Sequence, residues 1–241
     1  MPRFYIPYPP VSGTLLKLPE AAAHHAARVL RLSVGDVVAL FDGSGCEWVA
    51  SIHYIDKRDV EVMVDKHLEI SRESSLSVTL VQGISSGDRM DYTLQKAVEL
   101  GVAHIQPLAC ARSVVKLAGE RADKRRSHWQ NLVIAACEQC GRNLVPEVAA
   151  VESPSAWLNK PSAASLRIMF APDADATLHT LTKPASSVEI LAGPEGGFNA
   201  EEHRLAIAAG FVPVRLGPRV LRTETAALAA LSAMQVLWGD F

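Results

Sequence analysis

Long apolar runs, cysteine and an excess of charge of either sign are what this sequence has least of. No stretch reaches the ~18 apolar residues that a helix needs to cross a bilayer. The nearest candidate, Ala226 to Trp238, is broken by Ser232 and Gln235, so no membrane association is expected. The opening MPRFYIPYPP is proline-rich and lacks the apolar core of a signal peptide. Four cysteines, Cys46, Cys110, Cys137 and Cys140, are too few for a disulfide framework in 241 residues. A reducing cytoplasm is therefore the expected location. Cys137 and Cys140 fall within a predicted helix with no second pair, and the eight histidines form neither H-E-x-x-H nor H-x-x-E-H. No metal is expected. A formal net charge of −2 excludes a bulk polycation, so any nucleic-acid contact must come from a local basic surface. Neither G-x-G-x-x-G nor G-K-[ST] occurs where a dinucleotide fold or a P-loop would need it.

What is present is a 49% hydrophobic, 21% charged chain of ordinary globular composition, long enough for two domains. Residues 1–72 carry short β-type runs at Val37–Phe41, Glu47–Ile55 and Val60–Val64. Asp42-Gly43-Ser44-Gly45 marks a hairpin, and a helix is predicted over Ala21–Leu32. This texture predicts a small β-barrel or open sheet. The polar stretch Glu69–Ser75 reads as a linker. From residue 73 to 241 strands and helices alternate. Strands are predicted at Leu76–Ile84, His104–Ala109, Leu166–Ala171, Val188–Ala192 and Val212–Leu216. Helices are predicted at Asp88–Leu100 with Asp88 as N-cap, Ala122–Gly141, Asn199–Ala209 with an Asn199/Glu202 capping box, and Thr225–Trp238. Such alternation predicts an α/β domain with a parallel sheet covered on both faces.

Two loops concentrate the chemistry. Gly193-Pro194-Glu195-Gly196-Gly197-Phe198 follows an apolar strand, and ligands of parallel sheets sit beyond the carboxyl ends of their strands. Its glycines permit tight turning and close approach of backbone to a ligand. A plain strand-to-helix turn is the competing explanation. The second loop, Leu216-Gly217-Pro218-Arg219-Val220-Leu221-Arg222-Thr223-Glu224-Thr225-Ala226, sets two arginines and a glutamate before a helix that is otherwise almost all apolar. Helix capping by Thr223 or Thr225 with solvated charges is the alternative there. Leu228, Leu231, Met234 and Leu237 exceed what one face of that helix would bury within a monomer, which points to a homodimer.

These two loops, at this spacing, resemble those of the bacterial 16S ribosomal RNA uridine-N3 methyltransferases of the RsmE type, in the SPOUT class of trefoil-knotted methyltransferases. Further segments agree. They are His25 to Leu32 with Gly35-Asp36 and Phe41-Asp42-Gly43; Asp88 to Asp91 with Lys96 to Val102; Arg112 to Lys116; and Glu138 to Arg142 with Val145-Pro146. The resemblance implies a SPOUT trefoil-knotted parallel-sheet domain over 73–241, preceded by a PUA-like RNA-binding β-barrel over 1–72. It also implies a homodimer, S-adenosylmethionine as cofactor and 16S rRNA of the small ribosomal subunit as partner. Carried over residue by residue, it places the cofactor against Leu191, Gly193, Pro194, Gly196, Gly197, Leu216, Gly217 and Leu221. RNA contacts are expected from Arg3, Arg28, Arg31, Arg112, Lys116 and Arg142.

Uracil N3 must lose a proton to become nucleophilic, and an arginine near O2 or O4 would stabilise the anion. Arg219 or Arg222 could do so. Glu195 or Glu224 could take the proton, or could simply orient an arginine. The competing functions are a SPOUT enzyme acting on a transfer-RNA ribose 2′-hydroxyl, and a non-catalytic ribosome-assembly factor that keeps the fold.

Overall fold

The computed structural model describes every residue from Met1 to Phe241. The chain forms two compact units, one of Met1–Glu73 with Ile134–Val145, the other of Ser74–Val133 with Pro146–Phe241. The first unit takes in Ile134–Val145, a segment far along the chain that local patterning assigns to the second.

In the first unit, β1 (Arg3–Tyr5), β2 (Leu15–Lys17), β3 (Val37–Phe41), β4 (Glu47–Ile55) and β5 (Val60–Leu68) form one sheet in the order β1-β3-β4-β5-β2. The β3–β4 hairpin pairs Phe41 with Glu47 across the expected turn, where Gly43 and Gly45 have φ of +87° and +108°. β1 and β2 are too short to show a period of two, which is why patterning missed them. The helix expected over Ala21–Leu32 is α1 (Glu20–His24), which continues as a π-helical turn over His25–Val29. It ends at Arg31, the one non-glycine residue with positive φ, at +54°. The interior is apolar and includes Phe4, Ile6, Leu40, Ile52 and Val62.

Two residues expected to grip RNA are instead engaged inside this unit. Arg3 has a side chain only 10% exposed; it bonds Glu47 at 2.6 Å and Asn143 Oδ1 at 2.5 Å. Arg142, 7% exposed, bonds Glu73 at 2.5 Å and 2.9 Å. Burial would raise the carboxyl of Glu47, but hydrogen bonds from Arg72 and Arg3 outweigh it and hold the group below its usual range. Breaking a buried pair leaves a stranded charge, so loss of either arginine would strand Glu47 or Glu73. Arg28 and Arg31 are exposed on the same unit.

In the second unit, β6 (Ser77–Gly83), β7 (His104–Leu108), β8 (Glu147–Val148), β9 (Leu166–Phe170), β10 (Ser187–Ala192) and β11 (Val212–Val214) form a six-stranded sheet in the order β11-β9-β10-β6-β7-β8. Every pairing in it is parallel, as alternation predicts. The intervening helices are α2 (Asp88–Glu99), α3 (Glu120–Cys140), α4 (Pro154–Leu158), α5 (Ala200–Ala208) and α6 (Thr223–Trp238). β10 and β6 are central, and their buried positions are apolar, as befits strands covered on both faces, except for Gln82 at the carboxyl end of β6.

Three local expectations need correction. The N-cap of α2 is Gly87, with φ +51°, and Asp88 is already helical. α6 opens at Thr223, with Arg222 at the N-cap and no side-chain cap; the Thr223 hydroxyl bonds Gly193 and Gln82 instead. Leu231 and Met234 of α6 are fully buried within this unit, leaving Val236 and Leu237 as its exposed large apolar residues, with Phe241 exposed beyond its end. The capping box at Asn199 and Glu202 is present in both directions.

Candidate active site

A cavity of about 690 Å³ opens at the carboxyl ends of β9, β10 and β11. Its wall combines backbone and side chains from the loops that follow these strands, the location expected of ligand sites in parallel sheets. From the loop after β10 it takes Gly193, Pro194, Glu195, Gly197 and Phe198. From the loop after β11 it takes Leu216, Gly217, Arg219, Val220, Leu221 and Arg222. Thr223, Glu224 and Ala226 of α6 complete that side. All four residues proposed for catalysis, and six of the eight proposed for the cofactor, are thus brought to one cavity.

The other two lie behind it. Leu191 is 1% exposed within β10. Gly196 faces away: a Cβ there would sit 2.9 Å from Arg112 Cβ and 3.1 Å from the Arg112 carbonyl oxygen. The left-handed conformation of this loop belongs to Gly197, φ +65°, where the Gly197 N–H bonds the Pro194 carbonyl at 2.8 Å.

The loop after β10 is clamped from three directions. Thr223 Oγ1 donates to the Gly193 carbonyl at 2.5 Å and accepts from Gln82 Nε2 at 2.9 Å. This ties β6, the glycine loop and the start of α6 together. Glu195 Oε1 accepts from the Ser86 N–H at 2.7 Å, the Ser86 hydroxyl at 2.8 Å and Arg89 Nη1 at 3.4 Å. On the third side Arg112 Nη1 donates to the carbonyls of Gly196 and Phe198, both at 3.2 Å. Beneath the loop, a Cβ on Gly83 would lie 2.5 Å from Pro194 Cδ and 2.6 Å from Pro194 N. Position 83 must therefore be glycine for the loop to seat.

The electrostatics separate the two glutamates. Burial pushes the Glu195 carboxyl up, but hydrogen bonds from Ser86 and the Arg89 charge prevail and hold it below the usual carboxylate range. It stays ionised and holds a proton poorly, which suits a brace better than a base. Glu224 has no such set of donors, and its Oε2 is buried without a hydrogen-bond partner. Arg219 and Arg222 are exposed at the rim and enter no ion pair.

Several lining residues escaped sequence reasoning: Phe170 at the end of β9 with Ala171, Pro172 and Asp173 after it, Arg89 on α2, and His203 on α5. The loop after β9 could have been found, since it too follows a parallel strand. Arg89 and His203 carry no local signal. Of the expected RNA contacts in this unit, Arg112 is exposed but spends one nitrogen on the glycine loop, and Lys116 Nζ bonds the carbonyls of Cys110 and Ala111 at 3.2 Å and 2.6 Å. No cluster of three or more His, Cys, Asp or Glu side chains is arranged to hold a metal ion.

The cavity fits S-adenosylmethionine. Its volume lies in the range of small-molecule sites, the glycine loop offers backbone at close range, and the orphaned buried oxygens of Glu195 and Glu224 supply acceptors.

Comparison with known proteins agrees. Residues 72–235 match the family described as RNA methyltransferase domain, and residues 18–64 match RNA methyltransferase PUA domain. The chain is 35% identical to the ribosomal RNA small subunit methyltransferase E of Buchnera aphidicola subsp. Schizaphis graminum, over 100% of this chain and 98% of that one. It is 35% identical to the protein of the same name from Bacillus subtilis, over 90% of each. Its fold is similar to the crystal structure of a ribosomal RNA small subunit methyltransferase E from Neisseria gonorrhoeae bound to S-adenosyl methionine, with a TM-score of 0.93 and 42% identity over 100% of this chain and 99% of that one.

Proposed function

The chain belongs to the ribosomal RNA small subunit methyltransferase E family, and from that premise we propose that it methylates N3 of a uridine in 16S ribosomal RNA, using S-adenosylmethionine. The observation that carries this reading is the cavity, where a clamped glycine-rich loop meets Arg89, Arg219, Arg222 and Glu224. The work is done as a homodimer in the cytoplasm, on RNA of the small ribosomal subunit. The family's trefoil threading through β9, β10 and β11 belongs to the same reading. No helix is long and apolar enough to cross a membrane.

When bound, S-adenosylmethionine supplies a methyl group already activated by its sulfonium. The chain's own residues must then orient the cofactor, deprotonate the base and hold the resulting anion. Gly193, Pro194, Gly197, Leu216, Gly217 and Leu221 form the cofactor wall in this reading. Glu224 receives the N3 proton, because Glu195 is engaged by Ser86 and Arg89. Arg219 or Arg222 donates to O2 or O4 as charge develops there. The target base reaches the cavity only by leaving its stack, which costs roughly a few kcal/mol. Arg28 and Arg31 on the first unit are well exposed to hold the surrounding phosphates.

The test is a calorimetric titration with S-adenosylmethionine, followed by transfer of radiolabelled methyl to unmodified small ribosomal subunits. Binding with transfer is expected. Binding without transfer to any RNA would point to an assembly factor that retains the fold, and absence of binding would overturn the cofactor assignment.

A further inference from the structure

The loop between β7 and α3 touches the cofactor loop from outside the cavity. The Ala111 N–H donates to Glu202 Oε1 at 2.7 Å, and Glu202 is the buried capping-box carboxylate of α5. Arg112 Nη1 then spans the carbonyls of Gly196 and Phe198. Arg112 also packs against Gly196, where a Cβ would lie 2.9 Å from the Arg112 Cβ and 3.1 Å from its carbonyl oxygen. The guanidinium has five N–H donors, and only those on Nη1 are used here. The Nε and Nη2 donors of this exposed side chain remain for another acceptor.

The surroundings say what that acceptor is. From Arg112 to Arg126 the chain carries Arg112, Lys116, Arg121, Lys124, Arg125 and Arg126 against only Glu120 and Asp123, within a chain of net charge −2. Lys124, Arg125 and Arg126 are partly neutralised by Glu120, Asp91 and Glu147. Arg112 and Arg121 are exposed and face no carboxylate. A local cationic surface on a near-neutral protein is the footprint of a polyphosphate backbone.

We propose that Arg112 is a positioning residue that couples RNA binding to cofactor binding: one edge of its guanidinium holds the Gly196 and Phe198 carbonyls, and the other takes an RNA phosphate. A phosphate on the free edge fixes the guanidinium, and so fixes the wall of the cofactor cavity. By linkage, bound cofactor tightens RNA to the same factor. The proposal rests on the reading that RNA is the substrate.

The experiment measures the dissociation constant of S-adenosylhomocysteine, which permits no turnover, with and without saturating unmodified small ribosomal subunits. For the wild type the ratio of the two is expected to lie between about 5 and 150, the usual span of such coupling. In Arg112→Ala the ratio should fall to one, and the salt slope of RNA binding should shallow by roughly one unit. Arg112→Lys keeps the charge but not the two-edged planar group. It should keep the salt slope and still lose the coupling. A wild-type ratio of one in a chain that methylates the subunit overturns the coupling alone, as does a ratio that survives in either variant. A wild type that neither binds nor methylates the subunit overturns this inference together with the function on which it rests.

Discussion

Replacing Gly83 with alanine tests whether the seat of the glycine loop governs cofactor binding. The backbone at position 83 is not left-handed, so the effect is purely steric. The new Cβ would lie 2.5 Å from Pro194 Cδ, 2.6 Å from Pro194 N and 3.0 Å from the Gly193 carbonyl carbon. Carbon atoms prefer about 3.5–4.0 Å, so the loop must retreat by about 1 Å. The proline ring and backbone offer no flexible end to give way. A retreat of that size breaks the 2.5 Å bond from Thr223 to Gly193 and moves the cavity wall. Overpacking of this kind costs about 1–3 kcal/mol, or a Tm drop of about 2–12 °C for a chain of this size. A 1 Å misplacement at a site costs up to about 100-fold in rate. Calorimetry should therefore show S-adenosylmethionine bound about tenfold or more weakly, and single-turnover transfer slowed further. The control is Gly210→Ala, at φ +87° with nothing within 4 Å of its Cβ. It strains the end of α5 without touching the loop, so it should lower Tm but leave cofactor affinity alone. If Gly83→Ala binds the cofactor as the wild type does, the loop is only a turn and the reasoning fails.

Glu195→Gln should remove a pH-dependent contribution to stability. The folded carboxyl titrates below its usual range, so its stabilisation is complete above the unfolded pKa and disappears as pH falls through the folded one. The variant should be about 1–2 kcal/mol less stable near pH ~7, with the gap closing in acid; a gap that is constant across pH would show that Glu195 braces nothing through its charge. Arg222→Lys should slow single-turnover transfer by about 100- to 1000-fold with cofactor affinity nearly unchanged, and a full rate in that variant would remove Arg222 from the chemistry. Light scattering at micromolar concentration should give twice the chain mass, since Val220, Val236 and Phe241 are left 83%, 65% and 64% exposed; a monomer at every concentration would refute the homodimer.

The second unit was the more legible in sequence, for a physical reason. Parallel strands buried on both faces are short apolar runs, and the helices between them carry caps that local residues dictate, as Asn199 and Glu202 show. The first unit hid more. β1 and β2 have three residues each, and the π-helical turn before Arg31 has no pattern of its own. Charge misled in one consistent way. Arg3 and Arg142 look like surface cations in sequence, yet Glu47, Asn143 and Glu73 reach them from 44, 140 and 69 residues away. The site loops were readable from glycine content and strand-end position. What joins them was not: Gly83 under Pro194, Thr223 on Gly193, Ser86 on Glu195 and Arg112 on Gly196 are all contacts between distant segments, with no periodicity to announce them.

The central claim, methyl transfer to a pyrimidine ring nitrogen, is tested most directly by the identity of the product nucleoside. Unmodified small ribosomal subunits, incubated with the protein and isotopically labelled S-adenosylmethionine, are digested to nucleosides and resolved by mass spectrometry. The label should appear in 3-methyluridine alone and should accumulate more slowly in Gly83→Ala. Label in a ribose 2′-O-methyl nucleoside, or in no nucleoside at all, would contradict the account.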